Sequence, residues 1–290
     1  MKSIYPLCLV MAIVISISGC TKKSSEPVII HGSTTIEPVL ITLARSFEKQ
    51  HNIPFEIEAN GSRDGIRDLI EGKCDIADSS YHVTPSQVME AEKKGVQLRE
   101  FHIAFDMIVP IVHTENGLSS ISMKHLRQIY TGEVTTWKDV GWKDNPIMVV
   151  SRDASSGTYH VWNKLVTGGN DFKPEHVETL SSNSAVVARV ADNFNAIGYI
   201  SKTFVNNEIK VLAVDGIQPE EKKNGNADYP IRRKLYVYVD MNNLNQNTRR
   251  FLLYILSRQG HEVIQKEGFI PAGIYNQGED KIRTLLSGEK

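Results

Sequence analysis

Apolar positions along this chain switch repeatedly between two periods. Val28-Ile29-Ile30 is a short continuous apolar run, a buried-strand pattern. Ile36, Val39, Leu40, Leu43, Ala44 and Phe47 then follow the i, i+3, i+4, i+7 spacing of one helical face. Phe55-Glu56-Ile57-Glu58-Ala59 alternates with period two, as a half-buried strand does, and Ile66, Leu69 and Ile70 predict a second, short helix. Ile103 to Val112 reads as a long central strand interrupted by Asp106. Further on, helices are predicted over Met123 to Tyr130, from about Thr158 with Tyr159, Trp162, Leu165 and Val166 on one side, and over Ser184 to Val190. Strands are predicted over Ile147 to Val150, Ala196 to Ile200 and Leu235 to Val239, and two closing helices at Thr248 to Ser257 and His261 to Glu267. The polar segment Glu220 to Asp228 reads as a surface loop. Strand and helix in alternation argue for an α/β sandwich with a largely parallel sheet.

The N-terminus breaks this rhythm. Lys2 precedes an apolar run from Leu7 to Ile17, and Ile17-Ser18-Gly19-Cys20 follows. That is a charged start, an apolar segment too short to span a bilayer comfortably, and small residues at the break. A cleavage site of this kind resembles a bacterial lipobox. It implies a signal peptide over residues 1–19 and Cys20 as the lipidated first residue, held at a membrane surface by acyl chains and facing the periplasm or the cell exterior. An ordinary signal peptide or membrane anchor is the alternative. Residues 20–27 form a polar, flexible tether, and no later stretch reaches transmembrane length.

Loss of Lys2 takes the formal net charge from −1 to −2. A chain so near neutrality has no global field to draw nucleic acid, so any anion site is built locally. Of the three cysteines only Cys74 stays unmodified after cleavage, which rules out an intrachain disulfide and leaves a buried apolar filler as its default role. A mature length of about 270 residues suggests two compact units.

Three places carry the same chemistry: a Gly/Ser/Thr cluster that ends a strand and opens a helix. They are Gly32-Ser33-Thr34-Thr35, Gly61-Ser62-Arg63-Asp64-Gly65 and Arg152-Asp153-Ala154-Ser155-Ser156-Gly157-Thr158. A helix N-terminus offers free N–H donors and roughly half a positive charge, and small hydroxyl residues let an anion approach. Taken alone, each cluster is better read as a set of ordinary N-caps. All three lie at carboxyl ends of strands, the edge where open α/β sheets bind ligands. Three converging starts plus Arg152 would supply roughly the charge of a phosphate dianion. Arg152 could alternatively form a surface ion pair with Asp153.

These residues resemble the periplasmic phosphate-binding proteins of ABC importers, in the type II periplasmic-binding superfamily. The resemblance runs from about Val28 to the C-terminus, through Gly-Ser-Thr-Thr-Ile-Glu-Pro at 32–38, Gly-Ser-Arg-Asp-Gly-Ile at 61–66 and Asp-Ile-Ala-Asp-Ser-Ser at 75–80. It continues through Tyr130-Thr131-Gly132 with Trp137, Arg152 to Thr158, Ala196 to Tyr199, and Glu267 to Pro271. It implies two lobes of mostly parallel sheet, joined by two strands that cross near Asp106 to Pro110 and Tyr229 to Tyr236. Lobe one would combine 28–106 with 236–290, and lobe two would span 107–235. It implies capture of inorganic phosphate by Thr34, Thr35, Ser62, Ser80, Arg152, Ser156, Gly157 and Thr158, and delivery to an ABC permease and ATPase complex. A monomer without cofactor, metal or nucleic-acid partner is expected, and no enzyme.

Two positions depart from the family pattern. Studied members place a carboxylate where Ser80 stands, to accept the proton that hydrogenphosphate keeps and sulfate lacks; Asp78, Asp64 and Asp153 are candidate substitutes, or Ser80 itself accepts. The acid that orients the arginine is shifted to Asp153, with Ala154 in its usual place. Sulfate binding, phosphate sensing and phosphoester hydrolysis stay open as alternatives. Ser46-Phe47-Glu48-Lys49 matches a penicillin-recognising nucleophile motif, but its companion motifs are missing and it lies in the first periodic helix. No Gly-x-Ser-x-Gly elbow, Walker loop or His-Glu-x-x-His occurs.

Overall fold

The structure, a computed structural model, describes residues 26–170, 177–220 and 229–273. Strand β1 (Val28–Gly32) leads into helix α1 (Glu37–His51), then β2 (Phe55–Glu58), α2 (Ser62–Ile70), β3 (Ile76–Ser79) and α3 (Pro85–Lys93). The long strand β4 (Leu98–His113) follows, with β5 (Ser120–Ile121), α4 (Met123–Tyr130), β6 (Met148–Arg152) and α5 (Gly157–Trp162) after it. Next come β7 (Val177–Leu180), α6 (Asn183–Ala191), β8 (Ala196–Ser201), β9 (Ile209–Val211) and β10 (Ala213–Val214). The last elements are β11 (Arg232–Asp240), α7 (Gln246–Ile255), α8 (Arg258–Lys266) and β12 (Ile270–Pro271).

Where an apolar period was clear, the element forms. Helix α1 buries Val39, Leu40, Leu43, Ala44 and Phe47, starts with a proline in its first turn and stops at Asn52 in the left-handed conformation. Helix α3 has no such stripe and buries only Ala91. It owes its start to a capping box, in which Thr84 and Gln87 satisfy each other's backbone N–H groups, and to Pro85 in the first turn. Periodicity is blind to that kind of helix. The expected loop lies outside the described residues except at Glu220, as do Cys20 and the leader.

The main sheet runs β2-β1-β3-β11-β4-β8-β6-β7. Strand β1 is parallel to β2 and β3, and β6 is parallel to β7 and β8. Between these parallel ends lie the antiparallel strands β11 and β4. Strand β4 pairs with β11 from Leu98 to Met107, then with β8 from Ile108 to Val112. Two lobes therefore share this crossing. Lobe one, around β1–β3, has a core that α1, α7 and α8 cover and a second cluster under α2 and α3. Lobe two, around β6–β8, has its own core centred on Tyr130, Trp137, Trp162 and Tyr199.

The Tyr130…Trp137 stretch serves packing. Trp137 is fully buried, donates its indole N–H to Asn195 O at 2.9 Å and meets Trp142 edge-on. Cys74 is buried and free, and burial pushes its thiol far above the ordinary range, which makes it inert filler in the α2 cluster.

Candidate functional site

The three clusters meet between the lobes. Gly32 to Thr35 turn off the end of β1, Ser62 begins α2, and Arg152 ends β6 before the turn into α5. Ser80 follows β3 directly. Ser62, Ser80, Thr35, Thr158, Arg152 and Ser156 are all at most 3% exposed, Gly157 is buried and Thr34 half-buried. The lobes touch through them. Arg152 Nη2 donates to Thr34 Oγ1 at 3.0 Å, and Thr35 Oγ1 lies 3.1 Å from Thr158 Oγ1. The Arg63 N–H donates to Ser155 O at 3.1 Å, and the rings of Tyr81 and His160 pack 4.4 Å apart. This is a closed cleft.

Capping explains only one cluster. Ser156 caps α5, accepting from the N–H groups of Thr158 and Tyr159. The N-cap positions of α1 and α2, Ile36 and Gly61, provide no side-chain cap, so the hydroxyls of Thr34, Thr35 and Ser62 serve other partners. Ser62 Oγ accepts the Ser80 N–H at 3.1 Å, and Ser80 Oγ lies 2.5 Å from Ser33 Oγ.

Arg152 is not a surface ion-pair residue. Its Nε donates to Leu180 O at 3.1 Å and its Nη2 to Ser181 O at 2.7 Å. Its Nη1 is buried with no hydrogen-bond partner, and among the described residues no carboxylate lies within 4 Å of the guanidinium. Burial pulls its pKa down to about 10, against the attraction of Asp153, so it is cationic at neutral pH. Removing the counter-charge from a buried ion is strongly unfavourable, on the order of 3–5 kcal/mol. The site therefore demands an anion. Behind it, Tyr199 is stacked on Trp162 with centroids 4.3 Å apart, and its hydroxyl accepts the Arg152 N–H at 3.2 Å, fixing the backbone that carries the cation.

None of the three candidate carboxylates takes the place of an acid at position 80. Asp78 accepts the Ser33 N–H at 2.8 Å, packed behind the Gly32 turn so tightly that a Cβ on Gly32 would stand 2.5 Å from Asp78 Oδ1. Asp64 pairs with Arg67 at 2.9 Å, and Asp153 accepts from the Ser155 N–H and hydroxyl. Each is engaged within its own lobe or loop.

Sequence reasoning missed a fourth helix start and a second arginine. Ser181-Ser182-Asn183 ends β7 and opens α6 with Ser182 as cap. Its Ser181 carbonyl holds Arg152, and Asn183 Nδ2 donates to Thr35 Oγ1 at 3.0 Å. It carries the same signature as the other three, and only the faint apolar pattern of β7 hid it. Arg233 reaches the site from β11, bonded to Asp106 at 2.7 Å. Its one signal was Asp106, a charge inside the apolar run of β4; Arg233 itself stands in the charged run Arg232-Arg233-Lys234, where no pattern marks it.

A two-lobed α/β body that gathers hydroxyl, amide and guanidinium donors in a buried cleft is the architecture of a solute-binding protein. The chain belongs to the PBP superfamily, whose domain model matches residues 20–259. It is 28% identical over 256 residues to the phosphate-binding protein PstS of Bacillus subtilis, covering 86% of this chain and 82% of that protein. Among solved structures it is similar to a Clostridium perfringens protein described as a phosphate ABC transporter substrate-binding protein with bound phosphate. That match has 30% identity and a TM-score of 0.78, and covers 85% of this chain and all of the other. An ABC-type phosphate transport receptor from Vibrio cholerae matches at 29% identity and a TM-score of 0.69, covering 84% and 99%.

Proposed function

We propose that the chain is an extracytoplasmic solute-binding protein that captures inorganic phosphate between its lobes and delivers it to the permease and ATPase of an ABC importer. The observation that carries this reading is the buried, uncompensated Arg152 with a free Nη1 donor, in a pocket of hydroxyls drawn from both lobes. The names of the relatives from B. subtilis, C. perfringens and V. cholerae agree with it. Thr34, Ser62, Ser80, Arg152, Ser156, Gly157 and Thr158 are the ligand contacts; the expected eighth, Thr35, has its N–H on Ser33 and its hydroxyl on Asn183, Arg233 and Thr158, and lines the cleft without a free donor. The ion meets donors of both lobes only when they are together, so it stabilises the closed state by its differential affinity.

In this reading lobe one comprises 28–106 and 236–290, and lobe two 107–235. The exchange of β4 partners between Met107 and Ile108 supports the first crossing, and the packing of Tyr229 and Ile231 in the lobe-two core supports the return nearby. The protein acts as a monomer tethered through acylated Cys20. Among the described residues no helix is long and apolar enough to cross a membrane. Cys20→Ser should release the protein from the membrane fraction.

A wider oxyanion range is the second reading, favoured by the engagement of Asp78, Asp64 and Asp153 away from position 80. Calorimetric titration of the ligand-stripped full-length protein with phosphate and then sulfate tests both. Phosphate heat that vanishes in Arg152→Ala supports capture; equal affinity for the two ions replaces the phosphate label with an oxyanion one. No heat with either ion removes the reading.

A further inference from the structure

One buried charged pair has no part in the reading so far. Asp106 and Arg233 face each other in register on β4 and β11, with side chains 1% and 2% exposed. Arg233 donates from Nε and Nη2 to Asp106 Oδ2 at 2.9 and 2.7 Å. Asp106 Oδ1 accepts from the Met107 N–H and from Ser201 Oγ, both at 2.8 Å. The pair lies where β4 passes from one lobe to the other. As a stabilising device it is poor, because desolvating two ions roughly cancels their attraction.

Its contacts toward the pocket are more specific. Arg233 Nη1 donates to Thr158 Oγ1 at 2.9 Å, and Nη2 reaches Thr35 Oγ1 at 3.4 Å. Thr35 Oγ1 also accepts from Asn183 Nδ2 at 3.0 Å and lies 3.1 Å from Thr158 Oγ1. A hydroxyl has one hydrogen and two lone pairs. With two N–H donors on it, Thr35 Oγ1 has only its hydrogen left for Thr158. Thr158 Oγ1 then accepts from both Thr35 and Arg233, and its own hydrogen must leave the network. Among the described residues no protein acceptor meets that hydrogen.

We infer that Arg233 is a positioning residue that fixes the polarity of this hydroxyl chain, so that Thr158 faces the cleft as an O–H donor before the oxyanion arrives. The inference rests on the oxyanion reading of the cleft. Asp106 neutralises Arg233, so the orientation adds no net charge to the pocket, and Arg152 alone answers the charge of the ion. Thr35 and Thr158 belong to different lobes, so both bonds from Arg233 exist only in the closed cleft. Donor orientation is thereby coupled to closure.

The test is a double-mutant cycle read by phosphate calorimetry on the full-length protein. Asp106→Leu with Arg233→Met removes the pair without leaving a lone buried charge. It should lower phosphate affinity by about tenfold or more and leave the ligand-free melting temperature within a few degrees. Thr158→Val should cause a comparable loss in the parent but less than about threefold in the pair-deleted background, where the hydroxyl is no longer oriented. A merely structural pair would leave the two losses additive. Arg233→Lys keeps the charge on Asp106 and secures a folded protein; an ammonium in place of the fork should still lose about tenfold. Additive losses, or parental affinity in the pair-deleted or Lys variant, overturn the inference. A parent that gives no heat with phosphate removes the oxyanion reading as well.

Discussion

Gly157 at the start of α5 stands so close to Ser62 at the start of α2 that a Cβ on it would lie 2.6 Å from Ser62 Oγ, and 2.7 Å from Ser80 Cβ. The Ser80 Cα, 3.1 Å away, leaves no room to shift aside. Gly157 comes from lobe two and both serines from lobe one, so only a hydrogen fits there when the cleft is shut. Gly157→Ala should keep the lobes from meeting, with phosphate affinity reduced by about tenfold or more and little change in melting temperature. X-ray scattering should show no contraction of this variant on adding phosphate. Contraction equal to the parent's would mean the glycine is not a closure requirement.

Arg152 should separate binding from stability. Its guanidinium is buried without a carboxylate within 4 Å among the described residues. Arg152→Met should abolish phosphate binding, by about a hundredfold or more, since bonds to a charged donor contribute about 1.5–3 kcal/mol each. The ligand-free protein should be equally or more resistant to urea, because an uncompensated buried charge is gone. A large drop in resistance would assign Arg152 to the scaffold.

Position 80 should control selectivity. The structure offers Ser80 Oγ bonded to Ser33 Oγ where a carboxylate could stand. The parent should therefore bind sulfate within about two orders of magnitude of phosphate. Ser80→Asp should reject sulfate, since an ionised carboxylate only accepts and repels an ion that brings no proton. Competition calorimetry decides it, and an unchanged phosphate-to-sulfate ratio in the variant would count against the idea.

Asp78 should set a pH slope on stability. Burial holds its carboxyl well above the ordinary range, with the Ser33 N–H pulling the other way. A proton held more tightly in the folded chain stabilises the fold most below the unfolded value of about 4, and that stabilisation fades as pH rises through the folded value. Asp78→Asn lacks this fading, so its urea midpoint relative to the parent should climb as pH rises above about 4. A flat difference would show that Asp78 titrates alike in both states.

Phosphate itself should stabilise the parent. A ligand at a hundred times its dissociation constant adds about 2.7 kcal/mol to unfolding. Thermal melts with and without phosphate should show this shift, and Arg152→Met should erase it. A shift that persists in that variant would place the anion elsewhere.

The sequence by itself determined the local pieces. The apolar face of α7, the alternation of β2 and the start of α5 depend on neighbours a few residues away and form within two residues of the expected positions, while α1 keeps its expected apolar face and runs on to His51. It also marked the three turns that meet, because a hydroxyl cluster between strand and helix carries its chemistry wherever the fold takes it. Tertiary structure alone decided what those turns do together. Thr35, Thr158, Asn183 and Arg233 share one network although 123 and 198 positions separate Thr35 from Thr158 and Arg233. No spacing rule spans such distances, because strand order and the β4 crossing bring them together. The same holds for Asp78: its charge is plain in the sequence, but which hydrogen bond it satisfies depended on where the Gly32 turn would fold.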